Sequence, residues 1–234
     1  MNIILFKENE THIDKTDPRA VHLKKVLHLG SGDSFKAGIL NGMQGMATII
    51  SDDDGYDFSF DFSEDGSRLY PLTMIIAQVR PICMKRILRE AVSLGVGRII
   101  LPISELGEKS YLKSSLYTTD EYKEILLDGA MQAGFTGVSE CLIVKSVKDA
   151  ISLVSSSEKL LLDNVIGAEP LSSLNLYDKS VTLAIGPERG WTMAERDMFL
   201  SSGFKPCLLG SRILRTETAA VAGAAVALSR MMLL

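Results

Sequence analysis

The stretch that decides the fold is AIGPERGWTMAERDMFLSSGFKPCLLGSRILRTETAAVAGAAVAL, which occupies residues 184–228. A buried strand is expected to end at Ile185 and to lead into the loop Gly186-Pro187-Glu188-Arg189-Gly190. Glycines fit such a loop because they permit backbone turns that residues with a Cβ resist. Thr192 and Glu195 have the T-x-x-E spacing of a capping box, so the sequence predicts that a helix begins there.

The remainder of this stretch predicts a second strand and a second loop. Gly203 stands where the helix should end, and a strand over residues 206–209 leads into Gly210-Ser211-Arg212. The final helix is expected to begin near Thr216. Two glycine-bearing loops therefore leave the carboxyl ends of two parallel strands, which is the side where open α/β sheets bind ligands. The chain has neither G-x-x-x-x-G-K-[ST] nor G-x-G-x-x-G, which argues against a nucleoside triphosphate site and a Rossmann oxidoreductase.

Upstream of this stretch, from Thr73 onward, apolar runs alternate with helical patterns. Continuous Leu, Ile and Val runs separated by helices predict an α/β domain whose mostly parallel sheet is covered on both faces. The predicted strands are 74–79, 98–103, 140–145, 160–165 and 181–185, and a helix is predicted over 81–94.

The first part of the chain predicts a small β-rich domain. Residues 2–6 are expected to form a short strand, and Asp17-Pro18 predicts the start of a helix that continues to Leu27. Asn41-Gly42 is a strong hairpin signal, and residues 57–62 alternate polar with aromatic side chains. The predicted domains are residues 1–68 and 69–234.

Composition excludes several classes of protein. A hydrophobic fraction of 46% and a charged fraction of 23% are those of a folded globular protein. The short apolar patch at the N-terminus predicts no signal peptide, and residues 219–228 are too few for a membrane span. We therefore expect a cytoplasmic protein that does not associate with a membrane. A net charge of −4 means that any nucleic-acid site must be local.

Cysteine and histidine patterns predict no metal site. Cys83, Cys141 and Cys207 are too widely spaced for a zinc knuckle or a disulfide framework, and all three histidines precede residue 30. One alternative makes Cys207 the nucleophile of a methyltransferase, against the simpler interpretation of a buried strand cysteine.

Three motifs together resemble a known family. I-G-P-E-x-G from Ile185, then G-F at Gly203, and then L-G-S-R-I-L-R-T-E-T-A from Leu209 are similar to the signature of the RsmE family. These are small-subunit ribosomal RNA uridine N3-methyltransferases of the SPOUT class. H-L-K-K-V-L-H-L-x-x-G-D from His22 resembles the PUA-like RNA-binding domain of the same family.

The resemblance implies a SPOUT-type domain with a deep trefoil knot, S-adenosyl-L-methionine as cofactor, and a homodimer that acts on ribosomal RNA or the small ribosomal subunit. It places the cofactor on the two loops of the C-terminal stretch. The implied cofactor-binding residues are Leu162, Ile185, Gly186, Pro187, Gly190, Leu209, Gly210, Ser211, Ile213 and Leu214.

The resemblance also implies catalytic and RNA-binding residues. Uracil N3 must lose a proton, so a nearby base is needed, and Glu188 and Glu217 are both candidates. Arg215 is the third candidate catalytic residue, and Arg212 would meet RNA. Basic residues of the N-terminal domain that are expected to bind RNA are Lys24, Lys25 and His28.

The middle of the chain departs from the family pattern. Glu90 replaces a lysine, Ser93 a glutamate, Met131 an acidic residue and Phe135 an arginine, while Arg189 replaces a glycine of G-P-E-G-G. These changes leave open a second function, that of a non-catalytic RNA-binding or ribosome-associated protein on a methyltransferase scaffold.

Overall fold

The computed structural model describes residues 2–164 and 168–234. The chain forms two compact units, one of Met1–Arg68 with Ala130–Val138 and the other of Leu69–Gly129 with Ser139–Leu234. The sequence pattern had predicted residues 130–138 to be part of the second domain. Their backbone instead bonds to the first unit, since Asn2 donates to the Met131 carbonyl and Thr136 donates to the Gly66 carbonyl, both at 3.0 Å.

The first unit is built on a five-stranded sheet. Its elements are β1 (Ile4–Phe6), β2 (His12–Ile13), α1 (Pro18–His22), a π-helical turn (Leu23–Leu27), β3 (Ser34–Ile39), β4 (Met43–Ser51) and β5 (Tyr56–Asp65). The strand order is β1-β3-β4-β5-β2, and only β1 and β3 are parallel. The predicted hairpin is confirmed, with Asn41 in the left-handed region at φ 56° between β3 and β4.

The predicted first helix is shorter than expected. The Asp17 side chain caps α1 by accepting from the Arg19 amide, as the sequence indicated, but regular α-helix ends at His22. The Arg19 guanidinium bonds to the carboxylates of Glu10 and Asp17 and lies 5.2 Å from the Phe6 ring centroid. This arginine therefore fastens the start of the helix to the core of the unit.

The second unit is a seven-stranded sheet flanked by helices. Its strands are β6 (Tyr70–Ile76), β7 (Val96–Pro102), β8 (Glu140–Val144), β9 (Glu158–Leu162), β10 (Glu169–Pro170), β11 (Val181–Ile185) and β12 (Lys205–Leu208). The helices are α2 (Pro81–Ser93), α3 (Ser115–Thr118), α4 (Glu121–Ala133), α5 (Val147–Ser152), α6 (Met193–Ser201) and α7 (Thr216–Arg230), and two 3-10 turns cover Lys109–Lys113 and Leu171–Ser173. The last four residues of α4 belong to the first unit.

All strand pairs in this sheet are parallel, in the order β10-β12-β9-β11-β6-β7-β8. One face packs on α5, α6 and an aromatic group made of Trp191, Phe199 and Phe204. Helices α2 and α7 pack together, with α7 against β11 and β6. The predicted parallel sheet is therefore confirmed, as are the capping box of α6 and the start of α7 at Thr216.

Helix α7 approaches the sheet closely because it carries small residues. A Cβ at Gly223 would lie 2.8 Å from Leu162 Cδ1 and 2.9 Å from Leu183 Cδ2. The small-residue pattern of residues 219–227 is thus explained at this position by packing against β9 and β11.

Two predicted strands are displaced. Residues 74–79 were predicted as one strand, but β6 ends at Ile76, in register with Ile185 at the end of β11. The buried residues 77–79 form a connection to α2, and periodicity alone does not separate a buried strand from a buried loop. The strand predicted over 160–165 is β9 at Glu158–Leu162, and Val165 falls outside the described residues.

Candidate functional site

A pocket of about 160 Å³ opens at the carboxyl ends of β9, β11 and β12. The residues around it come from the last residues of these strands, from the three loops that follow them and from the start of α7. They are Leu162, Asp163, Asn164, Ile185, Gly186, Pro187, Glu188, Gly190, Trp191, Cys207, Leu209, Arg212, Ile213, Leu214, Thr216 and Ala219. This position is where parallel α/β sheets bind ligands.

Two glycines and one hydroxyl group shape the loops around the pocket. Gly190 closes the first loop at φ 71°, where its amide donates to the Pro187 carbonyl at 2.8 Å. Gly210 opens the second loop at φ 141°. The Thr216 hydroxyl donates to the Gly186 carbonyl at 3.1 Å, so that the start of α7 is tied to the first loop.

The Thr216 hydrogen bond predicts a measurable loss of stability on its removal. Thr216→Val keeps the shape of the side chain and leaves the Gly186 carbonyl without its donor, which should lower the free energy of unfolding by about 1 kcal/mol. Thr216→Ser retains the hydroxyl and is the matched control. Chemical denaturation of both variants measures the difference, and equal stability of the two would contradict a role for the hydroxyl.

Eight of the ten predicted cofactor-binding residues line the pocket. The other two, Gly210 and Ser211, lie on the second loop outside the lining. Backbone groups of residues 210–214 form no hydrogen bond with any other part of the chain that the structure describes. The second loop therefore presents amides and carbonyls that are available to a ligand.

The structure separates the three predicted catalytic residues. Glu188 lines the pocket, and its carboxylate accepts from the Arg80 amide at 3.4 Å. Arg215 and Glu217 lie outside the lining. Arg215 is the N-terminal cap residue of α7, and Glu217 faces the Cys83 thiol, whose pKa is raised by burial and then by the charge of that carboxylate. Of the two candidate bases, only Glu188 is in contact with the pocket.

The predicted RNA-binding residues lie in both units. Arg212 lines the pocket. Lys24 and Lys25 are exposed on the π-helical turn of the first unit, and His28 ends this turn in the left-handed region at φ 56°. π-Helical turns are rare in proteins, and those that occur are often found at functional sites.

The predicted site residues leave out six residues of the pocket wall, which are Asp163, Asn164, Trp191, Cys207, Thr216 and Ala219. Asp163 and Asn164 directly follow β9, and the Asp163 carboxylate pairs with Arg196. Their position after a buried strand was the available signal. Trp191 is 3% exposed, and its indole nitrogen has no hydrogen-bond partner among the described residues.

Cys207, which the sequence offered only as an alternative nucleophile, is buried in β12 beside the pocket. Burial raises the pKa of its thiol to about 12. Since the thiolate is the nucleophile, this environment opposes the interpretation of Cys207 as a nucleophile. The structure supports the simpler interpretation of a buried strand cysteine.

Within residues 2–164 and 168–234, no three His, Cys, Asp or Glu side chains are grouped as metal ligands. None of the helices in the described part of the chain has the length and hydrophobicity required to cross a bilayer.

Comparison with known proteins assigns the family. Residues 66–228 match the family model described as RNA methyltransferase domain. The ribosomal RNA small subunit methyltransferase E of Treponema pallidum is 40% identical over 98% of this chain and 91% of its own length. The chain belongs to the ribosomal RNA small subunit methyltransferase E family. A second member of this family, methyltransferase E 1 of Borreliella burgdorferi, is 34% identical over 99% of both chains.

Solved structures show the same fold. A probable rRNA methyltransferase from Porphyromonas gingivalis aligns with a TM-score of 0.85 over 99% of both chains, at 19% identity. A methyltransferase E from Neisseria gonorrhoeae, bound to S-adenosyl methionine, aligns with a TM-score of 0.80 over 98% of this chain and 97% of its own, at 24% identity. Both solved structures thus share the fold of this chain over nearly its whole length.

Proposed function

We propose that this protein is an S-adenosylmethionine-dependent methyltransferase that methylates N3 of a uridine in small-subunit ribosomal RNA. The observation that carries the proposal is the pocket at the ends of β9, β11 and β12, which lies in the part of the chain that matches the RNA methyltransferase domain. The names of its relatives support the same activity. The non-catalytic alternative is not favoured.

The chemistry of the pocket fits the cofactor. The free backbone groups of residues 210–214 suit the hydrogen-bonding edge of an adenine, and Leu209, Ile213 and Leu214 supply apolar surface. The Glu188 carboxylate provides a negative charge that favours a sulfonium cation. When bound, the cofactor supplies an electrophilic methyl group. Gly210 and Ser211 would act through the backbone of the second loop.

In this site, Glu188 accepts the N3 proton of the uracil. Arg212, whose planar guanidinium has five donors, binds a uracil carbonyl or the adjacent phosphate. Holding the two reactants in one pocket contributes further to the rate, because positioning replaces a bimolecular encounter. Arg215 and Glu217 are next to the pocket residues Leu214 and Thr216 in the sequence, so both could contribute to catalysis. A comparison of Glu217→Gln with Glu188→Gln separates the roles of the two carboxylates.

The finer architecture is part of the same proposal. The chain leaves β11, forms α6, returns as β12 on the far side of β9, and then crosses to pack α7 on β11 and β6. This path supports a SPOUT-type trefoil knot formed by the two pocket loops. Ile213 is 88% exposed, and Ile82 and Met232 are also exposed. These apolar side chains support a homodimer.

The first unit would serve as the PUA-like RNA-binding domain. Its small sheet and the exposed Lys24, Lys25 and His28 support this role. Ribosomal RNA as substrate places the protein in the cytoplasm.

Transfer of radiolabelled methyl groups to under-methylated small ribosomal subunits tests the function, with the product nucleoside identified by mass spectrometry. N3-methyluridine is the expected product. A different methylated nucleoside would overturn the assignment of N3, and transfer to none of the RNA in the subunit, with no binding of the cofactor, would overturn the proposal as a whole.

Trp191 predicts a direct optical signal for cofactor binding. It is the single tryptophan of the chain, and it lines the pocket. Titration with S-adenosylmethionine should therefore change the intensity or the maximum of tryptophan emission, with half-saturation at the calorimetric Kd. Glycine, at the same concentrations, is the control ligand. Emission that stays constant while calorimetry reports binding would place the cofactor elsewhere.

A further inference from the structure

The arginines of the second unit fall into two groups. Four of them form an ion pair or a hydrogen bond within the chain. Arg89 pairs with Asp128 at 2.8 Å, Arg98 pairs with Glu140 at 2.6 Å, Arg196 pairs with Asp163, and Arg230 donates to the Leu174 carbonyl at 2.7 Å. The other five are Arg80, Arg86, Arg189, Arg212 and Arg215. All five are exposed, and no carboxylate oxygen of the described residues lies within 4.0 Å of their guanidinium nitrogens.

Three of these five, which we call the arginine rim, are Arg80, Arg86 and Arg189. Arg189 lies in the loop after β11, Arg80 is the N-terminal cap residue of α2, and Arg86 lies on the second turn of α2. The Arg80 amide donates to Glu188, a residue of the pocket wall. The pKa of the Arg80 guanidinium is raised above its ordinary value, first by the Tyr111 hydroxyl and then by the charge of Glu188.

The other two members of the rim are connected to the same place. Cys83 and Arg86 are neighbours one turn apart on α2. The pKa of the Cys83 thiol is raised mainly by burial and further by the charges of Glu217 and Glu188, while the charge of Arg86 lowers it. Arg189 follows Glu188 directly. The pKa of Glu108 is lowered first by hydrogen bonds from Ser110 and further by the charge of Arg189, and Glu108 caps the 3-10 turn at Lys109–Lys113. Arg189 adjoins Glu188 and the Arg80 amide bonds to Glu188, so the loop after β11 and the start of α2 bring the three arginines together beside the pocket wall.

Its charge is unusual for this chain. Arg80, Arg86 and Arg189 place three exposed guanidinium groups beside the pocket wall in a protein with a net charge of −4. Exposed guanidinium groups without carboxylate partners are suited to bind phosphate with two parallel hydrogen bonds. An acidic protein that acts on RNA must concentrate such groups where the strand passes.

We infer that Arg80, Arg86 and Arg189 bind the backbone phosphates of the RNA strand on either side of the nucleotide that enters the pocket. This inference rests on the proposed function. None of the three lines the pocket, so they hold the substrate strand and leave the cofactor to the two loops. Arg189 stands where the family pattern has glycine, so this member of the rim departs from that pattern.

The test compares the variant R80Q/R86Q/R189Q with the wild-type full-length protein. The probe is the under-methylated small ribosomal subunit, and the measured quantities are KM, kcat and the dependence of log Kd on log salt concentration. Each lost phosphate contact on a single strand should reduce the magnitude of the salt slope by about 0.7, and by about 2 for the triple variant. KM should rise about threefold to fivefold for each arginine removed, with the Kd for S-adenosylmethionine unchanged.

Two further variants exclude a merely structural effect. R80K/R86K/R189K keeps the three charges and should restore the salt slope. R98Q removes an arginine from the amino end of β7, whereas the pocket lies at the carboxyl ends of the strands, and it should change neither KM nor slope. An active wild-type protein whose triple glutamine variant keeps its KM and slope would overturn the inference. So would a triple variant that loses only kcat. A wild-type protein with no transfer and no cofactor binding would instead overturn the proposed function.

Discussion

Glu188→Gln should lower kcat for methyl transfer by about 10²–10⁴ at saturating cofactor and subunit, the range that general-base catalysis contributes. Glutamine keeps the size of the side chain and its ability to accept from the Arg80 amide, but it accepts no proton from uracil N3. The rate of the variant should increase with pH, because ionisation of the uracil then replaces the missing base. Single-turnover kinetics from neutral to alkaline pH measures both effects.

Glu217→Gln is the matched comparison for this prediction. Glu217 faces Cys83 outside the pocket wall, so its replacement should lower kcat by less than about tenfold. Loss of the general base would lower kcat by at least about 10². If Glu217→Gln gave the large loss and Glu188→Gln the small one, Glu217 would be the base. Glu217 could act as the base only if the first turn of α7 directed the Glu217 carboxylate toward the substrate.

Gly210→Val should weaken cofactor binding at least about 100-fold while the protein remains folded. At φ 141° a β-branched residue is strongly disfavoured, and backbone of this kind costs on the order of 1–3 kcal/mol per residue. The second loop would therefore change conformation and withdraw the amides and carbonyls of residues 210–214. Calorimetric titration with S-adenosylmethionine measures the loss.

The control for Gly210 is another glycine with positive φ. Gly203 has φ 85° at the end of α6, away from the pocket wall, and a Cβ added at either glycine would have no neighbouring atom within 4 Å. Gly203→Ala should lower stability modestly and leave the cofactor Kd unchanged. Cofactor affinity that survives in a folded Gly210→Val protein would show that the second loop does not hold the adenine.

The C-terminal stretch was predictable because each of its elements carries a local signal. The capping box at Thr192 and Glu195, the apolar run of β11 and the glycines of both loops all act within a few residues. The ends of β6 and β9 were not predictable from the sequence, because strand pairing with β11 determines where they end. A single sequence does not show which residues pair. The family resemblance is confirmed by the comparisons.

The candidate site was predictable only in part for a similar reason. Residues on the glycine loops could be identified from the motif, whereas Asp163 and Trp191 reach the pocket through strand order and core packing. Sequence order also gave no indication that Arg80 lies beside Glu188, since 108 positions separate them. The assignment of residues 130–138 to the second domain failed because these residues complete the first unit through backbone hydrogen bonds.

That last feature affects how the protein folds as it is made. The first unit does not have all of its backbone partners until residue 138 has left the ribosome, because Asn2, Asn41 and Gly66 bond to residues of the later segment. At about 5–20 residues per second, synthesis from Arg68 to Val138 takes roughly 4–14 seconds. During this delay the amino-terminal sheet is exposed to chaperones without its closing segment. A gene fragment that stops at Arg68 would leave this intermediate as its end product.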